Sequence, residues 1–144
     1  MIPSITSPKF GKTISLLWLF AILNILFRDI HELTTASAVN EILSGYVNGN
    51  PISEGVLLVG AFAVELLLLA FLLSSLLPAR AAKAMNLFLA PLAIVGAVFG
   101  APSDPDDYFF ATVTVIVFAS IFVLCWNWKP GTKSAEMIGE QYAV

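Results

Sequence analysis

The sequence predicts an all-α membrane protein, built as an antiparallel bundle of four transmembrane helices. Of its 144 residues 58% are hydrophobic and 12% are charged, whereas soluble domains carry about 25% charged residues. Four apolar runs are long enough to cross a ~30 Å hydrocarbon core, which takes about 20 helical residues. They are too evenly apolar for barrel strands, in which lipid-facing and lumen-facing residues alternate. The predicted spans are 13–33, 55–77, 84–101 and 106–128, in one domain of residues 1–144 with a polar tail at 129–144.

The basic residues predict how this bundle is oriented. Six of the seven Lys and Arg residues lie before span one, between spans two and three or after span four. Short loops rich in Lys and Arg stay in the cytoplasm. Both termini and the Pro78–Lys83 loop are therefore predicted to be cytoplasmic, in a multi-pass protein of a bacterial inner membrane. Arg28, near the outer end of span one, is the exception. The six residues that set the orientation are Lys9, Lys12, Arg80, Lys83, Lys129 and Lys133.

The longest connection, Thr34–Ser53, follows span one on the outer side. Its apolar residues recur at helical spacing, i, i+3, i+4 and i+7, which predicts a short amphipathic helix after Ser37 as N-cap. That helix either lies on the outer membrane face or covers the mouth of the bundle. A turn at 48–51 follows, and Ser53 is expected to cap span two. The apolar residues of this pattern are Val39, Ile42, Leu43 and Tyr46.

One further connection and one span carry local signals. Asp104, Pro105 and the following aspartates, Asp106 and Asp107, are typical of a helix start. In span three, Pro91 is expected to interrupt the hydrogen-bond ladder and kink the helix. Gly96 and Gly100, four residues apart in the same span, are expected to allow close helix approach.

Glu65 stands out among the candidate site residues. It lies eleven residues into Glu54–Leu77, a run with no other charge between its ends, and so near the middle of the bilayer. Charged residues at that depth are costly and usually face a bundle interior, a partner or a water-filled cavity. Two interpretations stay open: Glu65 binds a ligand, proton or partner, or it is a structural hydrogen bonder to Asn24.

A polar cavity in the outer half of the bundle is predicted around Glu65. Asn24, Arg28 and His31 share one stripe of span one, and at 1.5 Å per residue Asn24 lies near the depth of Glu65. Thr112 and Thr114 in span four reach comparable depths. The predicted ligand-binding residues are Glu65, Asn24, Arg28, Asp29, His31 and Thr112.

The orientation of span one is left open by the sequence. Asp29 points about 100° away from Arg28 around the helix, and either residue can face the bundle interior. In the other interpretation Arg28 extends to the outer surface and pairs with Glu32 at i+4. Asn86, in span three, is expected to form hydrogen bonds between packed helices. Cys125, the chain's one cysteine, is expected to be a small apolar residue of span four.

One pattern runs through three of the spans. Span one holds a tryptophan followed by Leu-Asn and an aspartate, span two a glutamate and span three an asparagine. The chain thereby resembles an uncharacterised bacterial family of small four-helix membrane proteins over nearly its whole length. That family has no assigned activity, so the resemblance implies a topology and little mechanism. The residues that carry it are 16–20 (Leu-Leu-Trp-Leu-Phe), Leu23, Asn24, Asp29, Glu65 and Asn86.

A second resemblance is more distant. Residues 26–29 (Leu-Phe-Arg-Asp) and 65–66 (Glu-Leu) look like the acidic pair of the EXPERA superfamily, which includes sterol isomerases and the sigma-2 receptor. This resemblance implies a pocket that opens to the membrane, binds sterols and cationic amphiphiles, and uses Asp29 and Glu65 as its acidic pair. The histidine and second glutamate of an isomerase have no clear counterparts here, which puts isomerase chemistry in doubt.

Three functions from different classes fit these observations. The leading hypothesis is a binding protein that holds a lipid-like or amphipathic ligand in the outer cavity. The first alternative is an accessory or assembly subunit, in which Glu65 pairs with a membrane-protein partner or with further copies of the chain. The third is a membrane-embedded lipid isomerase. No catalytic residue, metal site or cofactor is predicted, which favours a role other than catalysis, and nothing indicates nucleic-acid binding.

Overall fold

The protein is a bundle of four long helices with a short helix and a hairpin between the first two. The structure, a computed structural model, describes residues 7–47, 49–99 and 104–129. Four of its helices are long and apolar enough, by length and composition, to cross a membrane, which confirms the predicted helical membrane bundle. The elements are α1 (Ser7–Glu32), α2 (Ala36–Leu43), β1 (Tyr46–Val47), β2 (Asn50–Pro51), α3 (Glu54–Leu76), α4 (Ala79–Phe99) and α5 (Pro105–Asn127).

The long helices form a ring in the order α1, α3, α4, α5. Contacts join each helix of this ring to the next, and successive helices are antiparallel. The buried residues concentrate at one end of the ring, which we call the closed half; it holds the start of α1 and the end of α5. The other end, which holds the hairpin, is the open half. The buried apolar residues of the closed half include Phe10, Ile14, Trp18, Ala70, Ala82, Phe118, Ile121 and Trp128.

Small residues bring the helices together in the closed half. At Gly11 of α1, a Cβ atom would lie 2.8 Å from the Ser74 carbonyl oxygen of α3, so the two backbones touch there. One turn further along α1, the Ser15 hydroxyl donates to the Phe71 carbonyl of α3 at 2.8 Å. In membranes, close packing and hydrogen bonds of this kind hold helices together, since lipid tails are as apolar as leucine.

A buried asparagine joins three of the helices. The Asn86 Oδ1 atom of α4 accepts from the Trp18 Nε1 atom of α1 at 2.6 Å. Its Nδ2 atom donates to the Ser74 Oγ atom of α3 at 3.0 Å and to the Ala82 carbonyl at 2.8 Å. The Ser74 hydroxyl in turn donates to the Ala70 carbonyl at 2.6 Å. The expected role of Asn86 in helix packing is therefore seen, with every polar atom of its side chain used.

The short cytoplasmic loop predicted at Pro78–Lys83 is wrong in extent. Helix α4 begins at Ala79, so Lys83 lies within its second turn. The Lys83 Nζ atom donates to the Trp126 carbonyl at 3.2 Å and to the Trp128 carbonyl at 2.5 Å. These carbonyls belong to the end of α5, where no helical donor is available. Lys83 thus extends helix α4 and caps the end of α5 instead of lying in a loop.

The connection between α1 and α3 differs from its prediction in two details. The N-cap of α2 is Thr35 rather than Ser37, because the Thr35 side chain accepts from the Ala38 N–H. The helix ends at Leu43 because Gly45 adopts a φ of +85°, a left-handed conformation that commonly terminates helices. Tyr46 therefore belongs to a strand, whose register pairs Tyr46 with Pro51.

The hairpin leaves α2 lying beside it rather than over the bundle. Gly49 has a φ of +72°, and its N–H donates to the Glu41 Oε1 atom of α2 at 2.6 Å. The apolar side chains Val39, Ile42 and Leu43 of α2 stay exposed, so an amphipathic helix is present as predicted. Its docking on a membrane surface stays a prediction.

The remaining local predictions have different outcomes. Asp104 is the N-cap residue of α5, Pro105 opens the helix, and Asp106 and Asp107 occupy its first turn. Pro91 lies inside a continuous α4. The close approach expected at Gly96 is absent, because a Cβ there would meet nothing within 4 Å. The partner position 100, the turn position 48, residues 101–103 and the tail 130–144 lie outside the described residues.

Candidate functional site

A polar seam joins α1 to α5 in the open half. The Asn24 Nδ2 atom of α1 donates to the Phe110 carbonyl at 2.9 Å and to the Thr114 Oγ1 atom at 2.8 Å. One turn further on, the Arg28 guanidinium makes a two-point contact with Asp107, with Nε–Oδ1 at 3.0 Å and Nη2–Oδ2 at 3.4 Å. The side chains of Arg28 and Asp107 are 16% and 6% exposed, so this ion pair is largely shielded and more than a surface contact.

His31 extends the seam toward the end of the helices. Its Nε2 atom lies 3.2 Å from the Asp106 Oδ2 atom, with both side chains about half exposed. Asp106 and Asp107 both occupy the first turn of α5, where a helix dipole favours negative charge. The predicted stripe of Asn24, Arg28 and His31 is therefore a real face of α1, and it faces α5.

Helix α3 stands apart from this seam in the open half. Every residue from Glu54 to Leu66 is exposed, whereas Ala70 and Ser74, nearer the closed half, are fully buried. The separation leaves a cleft of about 560 Å³ between the helices. Trp18 and Phe118 form its floor, with ring centroids 5.2 Å apart.

The cleft is almost entirely apolar. Phe62 and Leu66 line it from α3, and Leu92 and Val95 from α4. These four side chains are between 43% and 64% exposed, so the cleft is open to the surroundings between α3 and α4. Apart from Trp18, whose indole N–H donates to Asn86, the lining residues with polar side chains are Arg28 and Thr114. The Thr114 hydroxyl already donates to the Phe110 carbonyl at 2.9 Å, so the guanidinium is the main donor left for a ligand.

The predicted site residues fall in three places. Arg28 lines the cleft. Asn24 and His31 belong to the seam, and the expected contact of Asn24 with Glu65 is replaced by its bonds to α5. Thr112 is exposed and donates to the Tyr108 carbonyl of its own helix at 2.7 Å. Asp29 and Glu65 are exposed and lie outside the cleft lining.

The structure also shows site residues that the sequence reasoning missed. Trp18 and Phe118 form the cleft floor, and Asp107 is the partner of Arg28. The sequence did contain a signal for Asp107. Arg28 is the one basic residue expected on the outer side of the membrane, and the aspartates of the second outer loop, on the same side, are its available partners. Among the described residues, no group of three His, Cys, Asp or Glu side chains could hold a metal ion.

The fold and the seam define a small helical membrane protein of four spans. Its chain matches DUF6326, a family of unknown function, over residues 7–132. The chain therefore belongs to that family, which confirms the predicted membership of an uncharacterised family. Neither the curated proteins nor the solved structures give a significant match. The EXPERA resemblance stays a prediction.

Proposed function

We propose that this protein binds an amphipathic, lipid-like molecule in the cleft between α3 and α4. The observation that carries the proposal is the cleft itself, whose volume of about 560 Å³ lies within the roughly 300–1,000 Å³ of ordinary ligand sites. An apolar chain placed there would cover Phe62, Leu92 and the Trp18 floor. The opening between α3 and α4 supports entry from the bilayer rather than from water.

The position of Arg28 in the cleft supports a ligand whose polar head carries a hydrogen-bond acceptor. The guanidinium bonds Asp107 through two N–H groups and keeps further donors. Asp107 balances its charge, and Asp29 and Glu32 lie close along the same helix. The head end of the cleft therefore carries no net positive charge, which favours a neutral acceptor, such as an ester or carbonyl oxygen, over a free acid.

The same geometry favours binding over catalysis. A lipid isomerase of the kind that the EXPERA resemblance implies needs an acid or base facing its substrate. Asp29 and Glu65, the two carboxylates that the resemblance singles out, are exposed outside the cleft. We also propose the predicted orientation, with both termini in the cytoplasm of a bacterial cell and the open half in the outer leaflet, because the basic residues cluster at the closed half.

A cleft-filling variant tests the binding proposal. Gly96 lines the cleft and a Cβ atom added there meets nothing within 4 Å, so Gly96→Leu extends into open space without disturbing the core. The control, Ala84→Leu, adds a side chain at an exposed position of the same helix. Because each displaced ligand methylene is worth about 0.8 kcal/mol, we expect binding at least about tenfold weaker in Gly96→Leu.

Native mass spectrometry with defined probes measures that binding. Monooleoylglycerol has a neutral ester head, oleate an anionic head and oleylamine a cationic head. We expect a saturable adduct with monooleoylglycerol in the wild type and in Ala84→Leu, weakened in Gly96→Leu. No adduct with any probe, or equal binding in the two variants, contradicts the proposal; preference for oleylamine would favour the cationic ligands of the EXPERA resemblance.

A further inference from the structure

Glu65 lies on the face of α3 that is turned away from the bundle. Ala70 and Ser74 are the buried residues of α3, and they follow Glu65 by five and nine residues. At about 100° per residue, Glu65 points about 140° and 180° away from them. Among the described residues, Glu65 forms no hydrogen bond or ion pair and does not line the cleft. Its carboxyl group is therefore directed at whatever surrounds the helix.

That position is the worst one available for an unpartnered carboxyl group. Glu65 is eleven residues from both Glu54 and Leu76, the ends of α3, which is about 16 Å in each direction. A glutamate side chain is too short to reach either membrane surface from there. Ionisable groups at such depth in membrane proteins almost always face a bundle interior or pair with one another.

The residues around Glu65 repeat at the spacing of a helix–helix seam. Leu58, Ala61, Glu65, Leu68 and Leu72 follow one another at intervals of three and four residues, and all are exposed. Intervals of three and four are those of a coiled-coil seam, and Ala61 gives the small residue that lets helix backbones approach. The stripe is thus built like an interface with one polar position at its centre.

We propose that this stripe docks a second copy of the chain, in a two-fold symmetric dimer with Glu65 on the axis. Two copies inserted in the same orientation bring identical depths together, so each Glu65 meets the other. Two carboxyl groups that share a proton form a hydrogen bond with each other. A single carboxylate surrounded by lipid has no such partner. Most homo-oligomers are two-fold dimers with such self-complementary patches, and the cleft, whose lining includes no residue of the stripe, stays free.

Disulfide trapping in lipid vesicles tests this dimer. The background variant Cys125→Ala removes the chain's one cysteine, which is buried in α5. Leu72→Cys then places a thiol on the stripe two turns from Glu65, and Val123→Cys places the control thiol on the exposed side of α5. We expect a copper-phenanthroline-induced dimer from Leu72→Cys and little from Val123→Cys.

Glu65 variants decide whether the carboxyl group drives the association. Glu65→Gln can form the same pair and should keep the trapped dimer. Glu65→Leu should reduce association about five- to thirtyfold, the equivalent of ~1–2 kcal/mol for an interhelical hydrogen bond at 1.4 kcal/mol per tenfold. In micelles dilute enough to keep the protein monomeric, both variants should keep the wild-type unfolding transition, since Glu65 has no partner in the described part of the chain.

Three results would overturn the proposal. They are the absence of a Leu72→Cys dimer, trapping at Val123→Cys as efficient as at Leu72→Cys, and an undiminished dimer in Glu65→Leu. When the trapping is repeated in native membranes, a different membrane protein crosslinked to Leu72→Cys in place of the second copy would also overturn it, in favour of an accessory subunit. None of these results bears on ligand binding in the cleft, which the mass spectrometry measures separately.

Discussion

At the scale of single residues, Asn86 carries the largest consequence. It is 1% exposed and links Trp18, Ser74 and the Ala82 carbonyl. Asn86→Leu keeps the side-chain volume but leaves the indole N–H of Trp18 without its acceptor in the bundle. A buried donor left unpaired costs about 1–3 kcal/mol, so we expect a loss of that size in the free energy of unfolding.

The measurement is unfolding in mixed micelles by titration with SDS, followed by circular dichroism. Asn127→Leu is the matched control, because Asn127 is exposed and, within the described part of the chain, its side chain donates only to the Val123 carbonyl of its own helix. Equal stability of the two variants would show that the hydrogen bonds of Asn86 contribute nothing to the free energy of unfolding. The helix-packing role of Asn86 was predictable from an amide in an apolar span; its partners were not, because they lie on three different helices.

At the scale of elements, the contact of α1 with α3 depends on Gly11. Gly11→Ala would place a methyl group 2.8 Å from the Ser74 carbonyl oxygen, so the helix backbones must separate. Overpacking of this kind costs about 1–3 kcal/mol, and we expect a lower thermal unfolding midpoint. In Gly60→Ala the new methyl meets nothing within 4 Å, so stability should be unchanged or raised by up to about 1 kcal/mol of helix propensity. A neutral Gly11→Ala would argue that α1 and α3 do not touch there.

The glycine pair chosen from the sequence was the wrong one for close packing. Spacing alone selected Gly96 and Gly100, four residues apart, whereas the described contact is made by Gly11, which has no glycine partner at that spacing. A glycine permits close approach, but only the position of the neighbouring backbone decides whether it occurs. In the structure the space at Gly96 is the cleft.

At the scale of the whole molecule, the orientation in the membrane can be tested directly. The basic residues predict cytoplasmic termini, so a fluorescent protein fused after Val144 should fold in the cytoplasm and fluoresce. A cysteine replacing Leu43, which is 79% exposed in α2, should react with a membrane-impermeant maleimide added to intact cells. A C-terminal fusion that does not fluoresce and a protected residue 43 would show the opposite orientation.

The spans were predictable from the sequence because hydropathy alone defines them. Which spans lie next to each other in the bundle was not predictable. Depth matching placed Asn24 beside Glu65, since it fixes the distance along the membrane normal but not which helix is adjacent. The ring order puts α5 beside the polar face of α1, so Asn24 bonds Thr114 and Arg28 bonds Asp107. Packing of small residues in the closed half determines that order, and no local pattern records it.

The seam between α1 and α5 has a consequence for biosynthesis. Asp107 follows Arg28 by 79 residues in the chain, so the first span must wait for the last before its guanidinium gains its hydrogen-bonded ion-pair partner. Until α5 inserts, Arg28 depends on water and lipid headgroups at the membrane surface. Insertion of the final helix thus completes the ion pair of the first, and in a chain truncated before Asp107 the Arg28 guanidinium would lack this partner.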